Sequence, residues 1–210
     1  MKNLTIKVCF VIETSLAMTE VLPNVQSYVE ETIATLPSRL NLPSSEVIPS
    51  AVLYRDVDDA DNCVFYPFTT ASEFLANFPD LQRESRVACF SKSDAADVAG
   101  AVHCARHLDW SDAVVCMVVH CGITPAHGRM FNDVEDRYDE YPGEDPFGNN
   151  LLEDMSDLSK MNVHYMFVRL SERVDTMLET FDQVYHGPGT FTVVDCPTSP
   201  YTSDPDSVGE

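Results

Sequence analysis

Residues 9–18 read CFVIETSLAM, and the character of the chain changes in the middle of them. The run over residues 6–12 is apolar except for Lys7 and shows no regular polar alternation, which is the pattern of a strand buried on both faces of a parallel sheet. It stops at Glu13. Thr14 and Ser15 follow, and Leu16, Ala17 and Met18 open a helix. A carboxylate and a hydroxyl at the carboxyl end of a strand, beside a helix N-terminus, are a common setting for a metal ion or a phosphate. Leu16 and Ala17, however, bring no side-chain oxygen to such a site.

Outward from this stretch, strands and helices alternate. Val21, Leu22, Val25, Tyr28, Val29, Ile33 and Leu36 recur at helical spacing, and Pro37 and Pro43 are expected to break that helix. Strands are predicted over 47–54, 63–68, 113–119, 163–170 and 190–194. Pro67 puts the second of these at a sheet edge. Helices are predicted over 73–78, from about 95 to 108, over 151–161 and over 174–185. Residues 87–90 are a short apolar segment. The pattern predicts one doubly wound α/β domain over residues 1–195. Its three layers would enclose a mostly parallel sheet with one antiparallel edge strand. Residues 196–210, rich in Pro, Ser and Asp, are expected to be a flexible tail. Ligands of such sheets bind at the carboxyl ends of strands, where the strand order reverses. The two most buried strands end at Glu13 and at residues 120–125, so those loops should be neighbours.

Acids outnumber bases 34 to 13, for a formal net charge of -21, which argues against nucleic acid and anionic membrane surfaces as partners. A basic protein fits such a surface better. No apolar run is long enough to span a bilayer, and the run ending at Glu13 is too short for a signal sequence. Seven cysteines, an odd number set mostly in apolar runs such as those around Cys9, Cys89 and Cys116, suit reduced thiols and a cytoplasmic setting.

Several stretches, taken in order, resemble a von Willebrand factor A-type domain, in particular the subgroup found beside alpha-kinases. They are VIETSLAM (11–18), YRDVDD (54–59), DVAGAV (97–102) with Leu108 and Trp110, PAHGRMF (125–131), YPGEDPFG (141–148) and LLEDMSDL (151–158). The resemblance spans residues 6–194 and implies a Rossmann-like fold with a metal-ion-dependent adhesion site. Carried over position by position, that site is degenerate. Glu13 stands at the first Asp and Ser15 at the first Ser, while Leu16 replaces a Gly and Ala17 a second Ser. In the second loop, SKSDAAD (91–97), Ser93 or Asp97 would supply a ligand. Ile123 falls at the acidic position after the fourth strand. Mg²⁺ asks for about six oxygens, so no resident cofactor is expected. Instead, Glu13 and Ser15 would cap the first helix. The alternative is a weak Mg²⁺ or Ca²⁺ held by Glu13, Ser15, and Ser93 or Asp97, its coordination completed by a partner.

Asp56, Asp58 and Asp59, with Asp61 and Asn62, form an acidic loop without EF-hand spacing. Arg55 beside them should be held by these acids. His120, Cys121 and His127 cluster in sequence, and offer either a zinc set or a Cys–His hydrolase. No P-loop, dinucleotide fingerprint or kinase signature occurs, so no kinase is expected in this chain. Residues 132–145 carry seven acids against Arg137, with Tyr138 and Tyr141 as aromatic anchors for a basic partner. The expected function is non-catalytic protein–protein interaction in the cytoplasm, through the loops after Glu13, Tyr54, Phe90 and His120. Its contact residues would be Asp56, Asp58, Asp59, Ile123, His127, Tyr138 and Tyr141. The metal-dependent binder and the hydrolase are the alternatives. The sequence leaves the oligomeric state unknown.

Overall fold

The computed structural model describes residues 4–85, 93–143 and 145–195. The apolar segment over residues 87–90, the start of the second loop at 91–92 and the tail at 196–210 lie outside them. In chain order the elements are β1 (Thr5–Glu13), α1 (Leu22–Arg39), β2 (Glu46–Tyr54), β3 (Cys63–Tyr66), α2 (Ala71–Ser85), α3 (Val98–Arg106), β4 (Val115–Gly122), α4 (Leu151–Lys160), β5 (Val163–Arg169), α5 (Asp175–Val184) and β6 (Phe191–Asp195). They build one six-stranded sheet in the order β3-β2-β1-β4-β5-β6. All neighbours are parallel except β2 and β3, so β3 is the antiparallel edge strand.

Strand alternation divides the core. Ile6, Val8, Phe10 and Ile12 of β1 face the side covered by α1 and α2, while Cys9 and Val11 face the side covered by α3, α4 and α5. The apolar stripes read from the sequence are the buried ones: Val25, Val29 and Ile33 of α1, and Val98, Ala101, Val102 and Ala105 of α3. Among the described residues, no helix is long and apolar enough to cross a membrane.

Several boundaries differ from expectation, three of them at helix ends. Pro37 does not break α1 but lies inside its last turn, and the chain leaves at Leu40, whose N–H bonds to the Leu36 carbonyl. A proline removes one donor, and here the helix runs only two residues beyond it. Leu36 and Leu40 still pack on the core, which outweighs that loss. Asn41, at φ 57, then turns the chain. Pro79 is likewise accommodated within α2, which extends to Ser85 instead of ending near 78. The helix expected from about 95 starts at Val98, because the Asp97 side chain caps it.

The order reverses between β1 and β4. β1 leads outward to β2 and β3, and β4 outward to β5 and β6. The carboxyl ends of β1 and β4 therefore meet at the switch point, which places Glu13 beside the loop after Gly122.

Candidate functional site

Glu13 ends β1 completely buried. Its Oε2 accepts the backbone N–H groups of Ile123 (2.8 Å) and Thr124 (2.9 Å). Its Oε1 accepts the Thr124 hydroxyl (2.7 Å) and the Ser15 hydroxyl (2.5 Å). Four donors fill the lone-pair directions of one carboxylate. Gly122 lets the two strand ends approach this closely: a Cβ there would lie 2.6 Å from the Tyr54 hydroxyl and 3.2 Å from Glu13 Oε2. Thr14 continues the closure, its N–H donating to the Tyr54 carbonyl at 2.8 Å.

The expectation that Glu13 and Ser15 cap the first helix is corrected. Ser15 precedes a short 3₁₀ turn, Leu16–Met18, but makes no side-chain cap to it, and its hydroxyl turns to Glu13 instead. The stronger attraction wins: two backbone N–H groups and a hydroxyl from the β4 loop already converge on that carboxylate, and a hydroxyl donated to an anion is roughly twice as strong as a neutral bond.

The remaining expected ligands are also engaged. Asp97 is buried at the head of α3, where Oδ1 accepts the Gly100 N–H (2.7 Å) and Oδ2 the Asn62 amide (2.7 Å). Burial pushes its carboxyl up to about 6. The Ser93 hydroxyl accepts the Ala95 N–H (3.1 Å) and donates to the Tyr138 carbonyl (3.3 Å). Mg²⁺ needs oxygens near 2.1 Å in octahedral array, and Glu13 would have to release its own chain's donors to offer one. Leu16, Ala17 and Ile123 offer no side-chain oxygen. The arrangement does not fit a divalent cation as it stands.

Above Glu13 lies a cleft of about 230 Å³, with Ser15, Ala17, Asp56, Asp59, Ser93, Asp94 and Thr124 on its walls. Arg173, from the turn after β5, reaches it and pairs with Asp94 at 2.7 Å. Sequence reasoning missed Arg173. Its own stretch, SERVD, carries no signal, because the pairing spans 79 positions.

A second network ties the β2 loop to the β4 loop. His127 bonds Asp56 through Nε2 (2.7 Å) and Asp139 through Nδ1 (2.6 Å), with all three side chains buried. Burial opposes a charge on the ring, but the two carboxylates outweigh it and raise the imidazole above its ordinary value. Asp139 also accepts the Gly128 N–H and the Asn132 amide. Tyr141 stands edge-on to the His127 ring and donates its hydroxyl to Asp58 at 2.9 Å.

The expected contact residues therefore separate. Asp56, Asp59, Ile123 and His127 are buried and shape the loops from within, Asp56 and Asp59 showing only a small part of themselves on the cleft wall. Asp58 and Tyr138 are exposed and Tyr141 is half-buried. Arg55 is buried and is held by an acidic neighbour through its backbone: its guanidinium donates to the Asp61 carbonyl (2.8 Å).

His120, Cys121 and His127 do not converge. Alternation along β4 sends His120 to the α3 side, against Tyr54, Tyr165 and Phe167, and Cys121 to the α1 side. The His120 ring is buried between two hydroxyls, Tyr54 on Nε2 (2.7 Å) and Tyr165 on Nδ1 (2.7 Å). Burial pushes it down to about 3, so the ring is neutral. A nucleophile and base need mutual reach, which this placement denies them. Among the described residues, no three His, Cys, Asp or Glu side chains group as metal ligands.

Sheet order, the antiparallel edge strand and the loops gathered at the switch point define the class: the chain has a von Willebrand factor A fold. Solved structures agree. The SpRpn10 VWA domain superimposes with a TM-score of 0.56 at 13% identity, over 93% of this chain and 89% of that one. The pilus adhesin SpaC from Lactobacillus rhamnosus GG, in its open conformation, gives 0.54 at 11% identity, over 93% of this chain and 28% of that one. By sequence, the chain is similar to alpha-protein kinase vwkA of Dictyostelium discoideum, at 25% identity over 134 residues. That match takes in 63% of this chain and only 20% of the relative, so the chain spans a fifth of the curated protein it matches. No family model matches the chain.

Proposed function

We propose that this chain is a non-catalytic protein-interaction domain of the cytoplasm. It binds a basic protein partner through the loops at the carboxyl end of its sheet, without a divalent cation. The proposed unit is residues 1–195, with 196–210 as a flexible tail. The observation that carries the reading is the Glu13 carboxylate, whose lone pairs are taken by Ile123, Thr124 and Ser15 of its own chain. Around the cleft, Leu16 is 68% exposed and Tyr138 45% exposed, apolar and aromatic anchors of the kind that carry interface energy. Asp58, Asp133, Glu135, Asp136 and Glu140, all exposed, supply the negative rim that steers a basic partner.

Thermal unfolding tests the metal half. A cation at a hundredfold its dissociation constant would stabilise the native state by about 2.7 kcal/mol, on the order of 5–10 °C for a chain of this size. The expected midpoint is the same in EDTA and in millimolar Mg²⁺, Ca²⁺, Mn²⁺ or Zn²⁺. A rise that Glu13→Ala abolishes would replace this reading with the metal-dependent binder.

Capture on immobilised domain tests the binding half. Partner retained by the wild type in EDTA should be lost with Leu16→Asp or Tyr138→Ala while the thermal midpoint stays put. Loss of a central anchor costs about 2 kcal/mol, roughly thirtyfold in affinity. Retention by both variants, or a need for Mg²⁺, would count against the proposed face or its independence of metal.

A further inference from the structure

Cys63 opens β3 beside Tyr54 of β2, and Cys104 lies in the last turn of α3. The two are 41 positions apart in sequence, yet their Sγ atoms stand 3.5 Å apart, with the Cys63 thiol donating toward Cys104. The fold brings them together because β3 returns antiparallel along the sheet edge while α3 crosses the face behind it. The Asn62 amide, bonded to Asp97, already fastens the start of β3 to the head of α3. Both thiols are half-buried, unlike Cys9, Cys116 and Cys121, which are sealed in the core. A disulfide needs its sulfurs near 2.05 Å, so the two sulfurs, now 3.5 Å apart, must approach further for a bridge to form. The hydrogen bond from Cys63, aided by the neighbouring His103, holds the Cys104 thiol below its ordinary value. Cys104 is therefore the more readily ionised thiol of the pair and is the attacking sulfur.

We propose that Cys63 and Cys104 form a redox-sensitive dithiol, which a peroxide converts to an intramolecular disulfide joining β3 to α3. The Cys104 thiolate attacks one peroxide oxygen and the O–O bond breaks. Cys104 becomes a sulfenic acid, and the departing hydroxide takes the Cys63 proton to form water. The Cys63 thiolate then attacks the Cys104 sulfur, so that the S–S bond forms and the S–O bond breaks. The second hydroxide leaves and takes a proton from solvent. Each sulfur loses one electron and each peroxide oxygen gains one. The bridge fastens the acidic loop at 55–62, which leads from the end of β2 into β3, to the helix behind it.

The experiment uses the whole reduced chain, a few equivalents of hydrogen peroxide at neutral pH, then alkylation and peptide mass spectrometry. The expected product is a Cys63–Cys104 cross-linked peptide lighter by two hydrogens, undone by dithiothreitol. The oxidised chain should melt higher by on the order of 5 °C, because the bridge constrains the unfolded chain. In Cys63→Ser the reaction should stop at the Cys104 sulfenic acid, which dimedone traps; the wild type should not accumulate that adduct. Wild-type protein that forms no such bridge, or bridges other cysteines in preference, would overturn the proposal. So would a Cys104 that accumulates as sulfenic acid whether or not Cys63 is present.

Discussion

Glu13→Ala is expected to destabilise the fold by about 3–5 kcal/mol, among the largest effects of any single substitution in this chain. The alanine removes one acceptor group and strands the N–H groups of Ile123 and Thr124 and the hydroxyl of Thr124 in a buried site. Each such orphan costs about 1–3 kcal/mol. For a chain of this length the thermal midpoint should fall on the order of 10 °C, by the same amount in EDTA and in Mg²⁺. Glu13→Gln should recover much of the loss. Its amide oxygen can take the two backbone donors, and its amide N–H₂ can face the Ser15 and Thr124 hydroxyls, which turn to accept. Denaturant unfolding of the three proteins decides it. An alanine variant within 1 kcal/mol of wild type, estimated against the usual cost of one orphaned donor, would show that the carboxylate does not close the switch point.

The second large effect is a pH dependence carried by His120. Burial holds its folded value near 3, against 6.5 for a free imidazole. Between those values the unfolded chain binds a proton that the native chain refuses, so this group removes stability as pH falls. The slope is about 1.4 kcal/mol per pH unit, and the total on the order of 4–5 kcal/mol. Asp97 acts in the opposite sense. Its carboxyl is held up to about 6 against 3.8 when free, so it adds stability as pH falls through that window and offsets His120 there. His127 bears on the other side of neutrality. Its folded value is raised, so its contribution is complete below about 6.5 and is lost as pH rises through the folded value. Comparing wild type with His120→Leu isolates the His120 contribution, because Asp97 and His127 titrate in both. At pH 7 the wild type should be the more stable, since the variant leaves the Tyr54 and Tyr165 hydroxyls without their shared partner. Toward pH 3 that advantage should shrink by several kcal/mol and vanish or invert. A stability gap that stays constant with pH would show that the buried ring does not resist protonation.

Much of the architecture was legible because it rests on short periods. The apolar run at residues 8–12 reads as a strand covered on both sides, and Val98, Ala101, Val102 and Ala105 as one buried face of a helix. Helix ends were less legible. Pro37 reads locally as a stop, but the core contacts around it outweigh the single hydrogen bond it removes. The site was legible in place and not in state. The sequence put Glu13 and the loop at 120–125 together, and they do meet. Yet a backbone N–H belongs to every residue but proline, so the donation from Ile123 to Glu13, 110 positions away, leaves no mark in the sequence.

The sequence by itself determined the alternation of strands and helices, the buried strands β1 and β4 and the acidic surface, because each follows from side chains within a few positions of one another. Only the tertiary structure decided how the polar groups were paired. It turned Glu13 inward, set His127 between Asp56 and Asp139, suspended His120 between two tyrosines and brought Cys63 against Cys104. The reason is physical: a buried polar group must find a partner at about 3 Å, and which partner lies within that reach is set by strand order and register rather than by its neighbours in the chain.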